Sequence, residues 1–404
     1  MSDKDCIYLD YAATTPVDPE AAAEMCKCLT REGVFANPSS LHGPGRAAGR
    51  VVEAARRKVA AVFNCRPEEI IWTSGATESD NMGLIGVACY NCDRGKHIIT
   101  SRTEHKAVLD TCAWLEKEGF DVTYLVPGRD GEVTADQVAA AIRSDTILVS
   151  LMHVNNEIGV IQDIAAIGAV CHDNCVLFHV DAAQSAGKLP IDLGALPVDL
   201  MSISGHKFYG PKGVGVLFVR SEPRCNLAPV VHGGGQERGL RPGTLATHQI
   251  VGLATALEIA AGHLEAEAAR ITALREKLWT GLSELGGVHL NGHPERRAPG
   301  ILNVSFEGVE GESLLFMLRE LAVSSGSACS SSSGEGSYVL RALGRDDQMA
   351  QSSIRFSIGR FTTEDEISRA LAIVSQKLGR LREVSGWTQN ATVDGRNRSG
   401  AGVG

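Results

Sequence analysis

Between Glu69 and Val219 the chain alternates short apolar runs with stretches of helical spacing, and this alternation constrains the fold more than any other feature. The runs are Glu69–Thr73, His97–Thr100, Val122–Val126, Thr146–Val154, Val176–Val180, Val198–Ile203 and Val214–Val219. Helices are expected after several of them: beyond Thr77, over Lys106–Glu118, from Thr134 to about Arg143, and over Asp163–Asp173. Repeated β and α segments of this length predict an α/β architecture, a parallel or mixed sheet with helices on both faces. Thr146–Val154 is apolar along its length, as a strand covered on both sides must be. In such sheets ligands bind beyond the carboxyl ends of the strands. The polar residues just past those ends are Ser74 and Thr77, Thr103 to His105, Asn155 and Asn156, Asp181 and Gln184, and Ser204 to Lys207. That places the candidate site along one edge of one sheet.

Two of these strand ends carry chemistry. In Ser202–Gly213, Lys207 lies between two apolar runs. An amine held there is partly desolvated, so its pKa falls and it becomes nucleophilic. Ser204 and His206 beside it are suited to an anion. A Schiff-base lysine with phosphate-holding neighbours is what a pyridoxal phosphate (PLP) site needs; a plain strand–loop–strand connection with a surface lysine is the alternative. After Glu69–Thr73, the stretch Ser74–Asn81 reads as a glycine turn into a helix, with Thr77-x-x-Asp80 resembling a capping box. A helix N-terminus binds anions. The dinucleotide and P-loop glycine patterns are incomplete here, so a phosphate would belong to something smaller than a dinucleotide. A simple βα connection would look the same.

The flanking sequence is read more coarsely. Helices are expected over Asp18–Leu29 and Arg46–Val62, and one long or two adjoining helices over His248–Leu285, bridging two domains. His232–Thr244 is glycine-rich, allowing close approach to a ligand or a second subunit, or else forming a flexible surface loop. Ile301–Phe306 and Ser353–Gly359 read as strands, Glu312–Leu321 and Thr363–Val384 as helices. Arg355 within its strand suits bidentate capture of a carboxylate, or is an edge-strand surface charge. Ser324–Ser337 is a Ser/Gly loop with Cys329 in its middle, a candidate nucleophile or carrier. Beyond Ser385 the composition predicts a disordered tail.

With 404 residues, 44% hydrophobic, the chain is expected to form one large and one smaller domain. A net charge of −9 without basic blocks argues against a nucleic-acid partner. No apolar stretch suits a secretion signal or a membrane span, so a soluble, cytoplasmic protein is expected. Eleven scattered cysteines argue for reduced thiols rather than disulfides. Cys89-x-x-Cys92 and Cys26-x-Cys28 lack a second pair at zinc spacing, so no firm metal site is expected.

Taken together, several stretches resemble the cysteine desulfurases of iron–sulfur cluster assembly (IscS/NifS type), class V aminotransferases within the fold-type I PLP enzymes. They are Tyr8–Pro16, Thr73–Asn81, Thr103–Lys106, His153–Glu157, His179–Gln184, Ser204–Lys207 and Ser324–Cys329. The resemblance runs from Tyr8 to about Leu381. It implies a large domain over 15–260 with a mostly parallel seven-stranded sheet, and a small α+β domain from 1–14 and 261–384 with a mobile Cys loop at 322–337. The remainder, 385–404, would be tail. It implies that Lys207 holds PLP and moves protons, that Asp181 pairs with the pyridinium nitrogen, and that Gln184 bonds the phenolic oxygen. His105 would stack on the ring. Ala76, Thr77, Ser204 and His206 would hold the phosphate, with Thr244 given by the neighbouring subunit of a homodimer. Asn156 and Arg355 would hold the substrate carboxylate, and Cys329 would attack the sulfur of L-cysteine, leaving alanine and a persulfide. The persulfide would pass to an iron–sulfur scaffold or other acceptors, with Cys329 a possible transient cluster ligand. The divergent tail bears on scaffold docking. A selenocysteine lyase, or another PLP lyase or aminotransferase, is the alternative on the same fold, and a sulfur carrier with a vestigial PLP fold is a third reading.

Overall fold

The computed structural model describes residues 6–325 and 336–388. In chain order the first half comprises β1 (Ile7–Tyr8), α1 (Pro19–Cys26), α2 (Gly43–Val62), β2 (Ile70–Thr73), α3 (Ala76–Asn91), β3 (His97–Ser101), α4 (Lys106–Lys117), β4 (Asp121–Leu125), α5 (Ala135–Ala141), β5 (Thr146–Met152), α6 (Ile164–Asp173), β6 (Leu177–Asp181), β7 (Leu200–Ser204) and β8 (Gly215–Val219). The second half comprises α7 (Thr247–Gly262), α8 (Leu264–Ser283), β9 (Val288–Asn291), β10 (Ile301–Phe306), α9 (Gly311–Met317), β11 (Leu321–Ala322), β12 (Ser324–Ser325), α10 (Tyr338–Ala342), α11 (Asp347–Gln351), β13 (Ser353–Ser357) and α12 (Glu364–Ser385).

The expected α/β class is observed: a seven-stranded sheet in the order β2-β8-β7-β6-β5-β3-β4, parallel except for β8. Side chains alternate between its faces because the strand period is two. In β8, Val216 and Phe218 join the core under α2 and α7, while Leu217 and Val219 join the core under α3 and α4. Burial on both faces is why β8 is wholly apolar apart from Gly215. Helix α2 turns Ala48, Val52, Ala55 and Val59 inward at helical spacing. The capping box from Thr134 to Gln137 forms as its sequence requires.

A smaller antiparallel sheet, β12-β13-β10-β9, has its own core of α8 and α12 residues, including Leu278, Val374 and Leu378, packed on Leu302, Val304, Phe306 and Phe356. Helix α12 is closed at both ends: Thr363 and Glu366 form a capping box, and Gly386 ends it in the left-handed conformation at φ 68°. Strand β1 pairs in parallel with β11, which ties the start of the chain to its last third.

The structure settles two open alternatives and departs from expectation in two other places. The stretch His248–Leu285 is two helices, broken at His263, whose φ of −117° is not helical. Thr77-x-x-Asp80 is no capping box: α3 is preceded by Gly75 with no side-chain cap, and Asp80 is fully buried, facing His179 of β6. Arg355 is not on an edge, because β13 is an inner strand. Strand β9 and the five-residue helices α10 and α11 lacked a readable period. Cys329 and most of the tail, 389–404, lie outside the described residues. Among the described residues no helix is long and apolar enough to cross a membrane, and no three His, Cys, Asp or Glu residues are grouped to hold a metal.

Candidate active site

A cavity of about 610 Å³ opens at the carboxyl ends of the parallel strands. Its lining includes Ala76, Thr77, His105, Asn156, Asp181, Gln184, Ser204, His206, Lys207 and Arg355. Strand-end geometry thus gathers residues from five strands and, through Arg355, from the small sheet. Thr244 is exposed and does not line this cavity of its own chain.

Lys207 closes the single turn Gly205–Lys207 that follows β7. Its Nζ donates to the carbonyls of Ala12 at 2.7 Å and Ala13 at 2.9 Å. The segment holding those carbonyls is fixed in turn: Thr15 N donates to His206 O at 3.0 Å, and Tyr209 N to Thr15 Oγ1 at 2.8 Å. His206 Nδ1 lies 3.1 Å from Thr14 Oγ1. Burial, reinforced by Lys207, Lys212 and Lys188, pushes the His206 pKa down to about 4, so its ring is neutral at pH 7.

The β2–α3 turn leaves an uncapped helix N-terminus beside Ser204. Gly75 sits at φ 154°, and no side chain caps the first turn. The free N–H groups and the helix dipole make an anion site at Ala76 and Thr77. The glycine-rich loop is locked against this turn. Arg56 grips Glu237 through two hydrogen bonds, at 2.7 and 2.8 Å, and Glu237 also accepts from Trp72 N at 2.8 Å. Arg241 pairs with Glu78 in the first turn of α3 at 3.0 Å. The loop is therefore no flexible surface segment around Glu237.

Asp181 ends β6, and its carboxylate accepts from Ala183 N at 2.8 Å. Burial raises its pKa, opposed by that amide, His105 and Lys207. A cation placed against it would reverse the shift. His105 caps α4, its Nδ1 accepting from Ala107 N at 3.1 Å, so the neutral ring carries its proton on Nε2. Burial lowers its pKa; Lys207 adds to this and Asp181 opposes it.

On the other wall, Arg355 donates to Asn156 O at 2.9 Å, to Asp10 Oδ1 at 2.8 Å and to Ser324 Oγ at 3.2 Å. Two buried polar atoms here, Arg355 Nε and Asn156 Oδ1, have no hydrogen-bond partner among the described residues. Buried polar atoms are ordinarily satisfied, so such a pair marks a place built for a polar ligand. Asp10 and Glu157 join the site although nothing in the motifs that contain them, Tyr8–Pro16 and His153–Glu157, points to a role. Glu157 lines the cavity and accepts from Ser337 Oγ; burial pushes its pKa up to about 7, against Ser337 and Arg355.

A model of the class-V aminotransferase family matches residues 7–370. The chain belongs to this family. Within it, the chain is 60% identical over 380 residues to the cysteine desulfurase IscS of Shewanella pealeana, covering 94% of each. It is similar to the solved structure of a NifS-like protein, with a TM-score of 0.87 and 39% identity over 93% of this chain and all of that one. A second structure, SspA in complex with cysteine, matches with a TM-score of 0.79 and 38% identity over 88% of this chain and all of that one. These matches place the chain among the cysteine desulfurases.

Proposed function

We propose that the chain is a PLP-dependent cysteine desulfurase that converts L-cysteine to L-alanine and keeps the sulfur as a persulfide on Cys329. The observation that carries this is the meeting of Lys207, Asp181, His105 and Arg355 in one cavity beside an uncapped helix N-terminus. The residues fit PLP: an amine for its aldehyde, a buried carboxylate for its ring nitrogen, free amides for its phosphate. When bound, PLP supplies an electron sink for the bonds around the substrate Cα.

The chain's own residues do the rest. Asp181 would keep the ring nitrogen protonated, Gln184 would donate to the phenolic oxygen, and His105 would cover the ring. Ala76, Thr77, Ser204 and His206 would hold the phosphate, and Lys207 would hold the cofactor covalently between turnovers. Arg355 and Asn156 would fix the substrate carboxylate, with the orphaned Arg355 Nε among the available donors. The Lys207 amine, once released by the substrate, would take the proton from the substrate Cα. The Cys329 thiolate would attack the substrate sulfur: a sulfur–sulfur bond forms, the Cβ–S bond breaks, and the electron pair left on carbon is protonated to give alanine.

Domain, assembly and destination belong to the same proposal. Residues 15–260 would hold the cofactor, and 1–14 with 261–384 would carry the Cys329 segment. The enzyme would act as a cytoplasmic homodimer and pass its sulfur to an iron–sulfur scaffold and other acceptors. The test is alanine release from L-cysteine. Without a thiol reductant about one alanine per subunit is expected before a stall, because the persulfide blocks the next cycle; with reductant, turnover and sulfide follow. No alanine from PLP-loaded protein would sink the activity. Continuous turnover without any acceptor would remove Cys329 from it.

A further inference from the structure

A second lysine belongs to the site although it does not line the cavity. Lys188, one turn beyond Gln184, donates from Nζ to Gln184 Oε1 at 3.0 Å. The other end of the amide, Nε2, donates to Ala12 O at 2.8 Å. Ala12 O also accepts from Lys207 at 2.7 Å, so this carbonyl is shared. An ammonium has only donors and a carbonyl only acceptors. Together they allow one orientation of the amide: carbonyl toward Lys188, NH2 toward Ala12, with one N–H to spare. Lys207 must leave Ala12 O to act, whereas the Lys188 contact does not depend on it.

We propose that Lys188 is a positioning residue that orients and polarises the Gln184 amide, setting the strength of its donor to the cofactor's phenolic oxygen. The inference rests on the PLP reading above. Three observations carry it. Lys188 lies at a small cavity of about 50 Å³ between the large and small sheets, among Tyr11, Tyr209, Ile271 and Pro299. It forms no ion pair there among the described residues: the neighbouring carboxylate, Glu267, is held by Arg360 at 3.1 Å. Burial, with Lys207 and Arg355, pushes its pKa down to about 7, opposed by Glu267. Lys188 is half-buried, and an apolar side chain of equal length would fill the cavity wall as well as its stem does. Packing therefore does not explain the amine, whereas the amide it holds does. A cation on a carbonyl oxygen draws charge from the amide nitrogen and makes its N–H a stronger donor.

The test uses the full-length holoenzyme and compares wild type with Lys188→Met and Lys188→Arg. The bound cofactor's visible band is titrated with pH, and PLP affinity is measured by fluorescence. A weaker donor stabilises the phenolate less, so the midpoint of the colour change should rise in Lys188→Met by about one unit, and PLP should bind several-fold more weakly. Lys188→Arg keeps a donor and should restore both toward wild type. If Lys188→Met does not fold, Lys188→Ala carries the same measurement. An unchanged midpoint, or Lys188→Arg behaving as Lys188→Met, would overturn the inference while leaving the PLP reading intact. Wild-type protein that takes up no PLP would overturn both.

Discussion

Arg355 is the clearest residue at which geometry and chemistry meet. It is 6% exposed, anchored by Asp10, Ser324 and the Asn156 carbonyl, and has one nitrogen left over. Lysine carries the same charge but not the planar fork. Arg355→Lys should therefore raise KM for L-cysteine by about tenfold or more and lower kcat less, as steady-state kinetics would show. Glu157 makes a pH prediction with a definite sign. Its folded pKa of about 7 stands above the ordinary 4.5. Between those values the folded state holds a proton that the unfolded state has lost, so this group's contribution to stability falls as pH rises through the window. Glu157→Gln should remove that decline, and thermal midpoints of the two proteins from pH 5 to pH 8 would reveal it as a gap widening in favour of the variant. A constant gap would mean that Glu157 does not titrate there. Lys207, Asp181 and His105 were legible because each stands just past an apolar run. Asp10 and Glu157 were not: Asp10 acts through Arg355, 345 positions away, and Glu157 through Ser337, 180 away, and no local pattern encodes such pairings.

At the scale of elements, the loop over the β2–α3 turn is held by a buried ion pair. Glu237 is 7% exposed, has a left-handed φ of 46°, and satisfies both Arg56 and the Trp72 amide. Removing its charge leaves Arg56 with Glu53 at 3.1 Å, a more exposed partner, and the Ile70 carbonyl at 2.7 Å, so the loss falls below the full cost of an unpaired buried charge, at about 1–3 kcal/mol. Glu237→Gln should lower the urea midpoint accordingly and weaken PLP retention, since the same turn carries Ala76 and Thr77; a loss under 1 kcal/mol would show the pair to be dispensable. Glycine permits both a close approach and a flexible surface segment, so the local sequence alone leaves this loop open. Side-chain partners decided it, and those come from α2 and β2, more than a hundred residues earlier. The failed capping box at Thr77 has the converse cause. Its local pattern was right for a cap, but Asp80 is drawn into the core beside His179, a tertiary demand that overrides local preference.

Across the whole molecule, the alternating half of the chain was readable because each strand carries its own apolar signature. The last third was less so: β9, β11 and β12 are at most four residues long, too short to show a period, and β11 and β12 find their partners only at a distance, on β1 and β13. One expected site residue remains apart at this scale. Thr244 lies exposed outside its own cavity, as a residue acting in a neighbouring subunit would. That reading is decided by mixing subunits. Thr244→Ala alone should weaken PLP binding about tenfold, the effect of one hydrogen bond to a charged phosphate, and Lys207→Ala alone should be inactive. In a hybrid dimer, the site with an intact Lys207 is completed by Thr244 of the Lys207→Ala subunit. That site should bind PLP as tightly as wild type and desulfurate cysteine at the wild-type rate per site. If Thr244 acted within its own chain, every hybrid site would carry one of the two defects, and tight binding would not return.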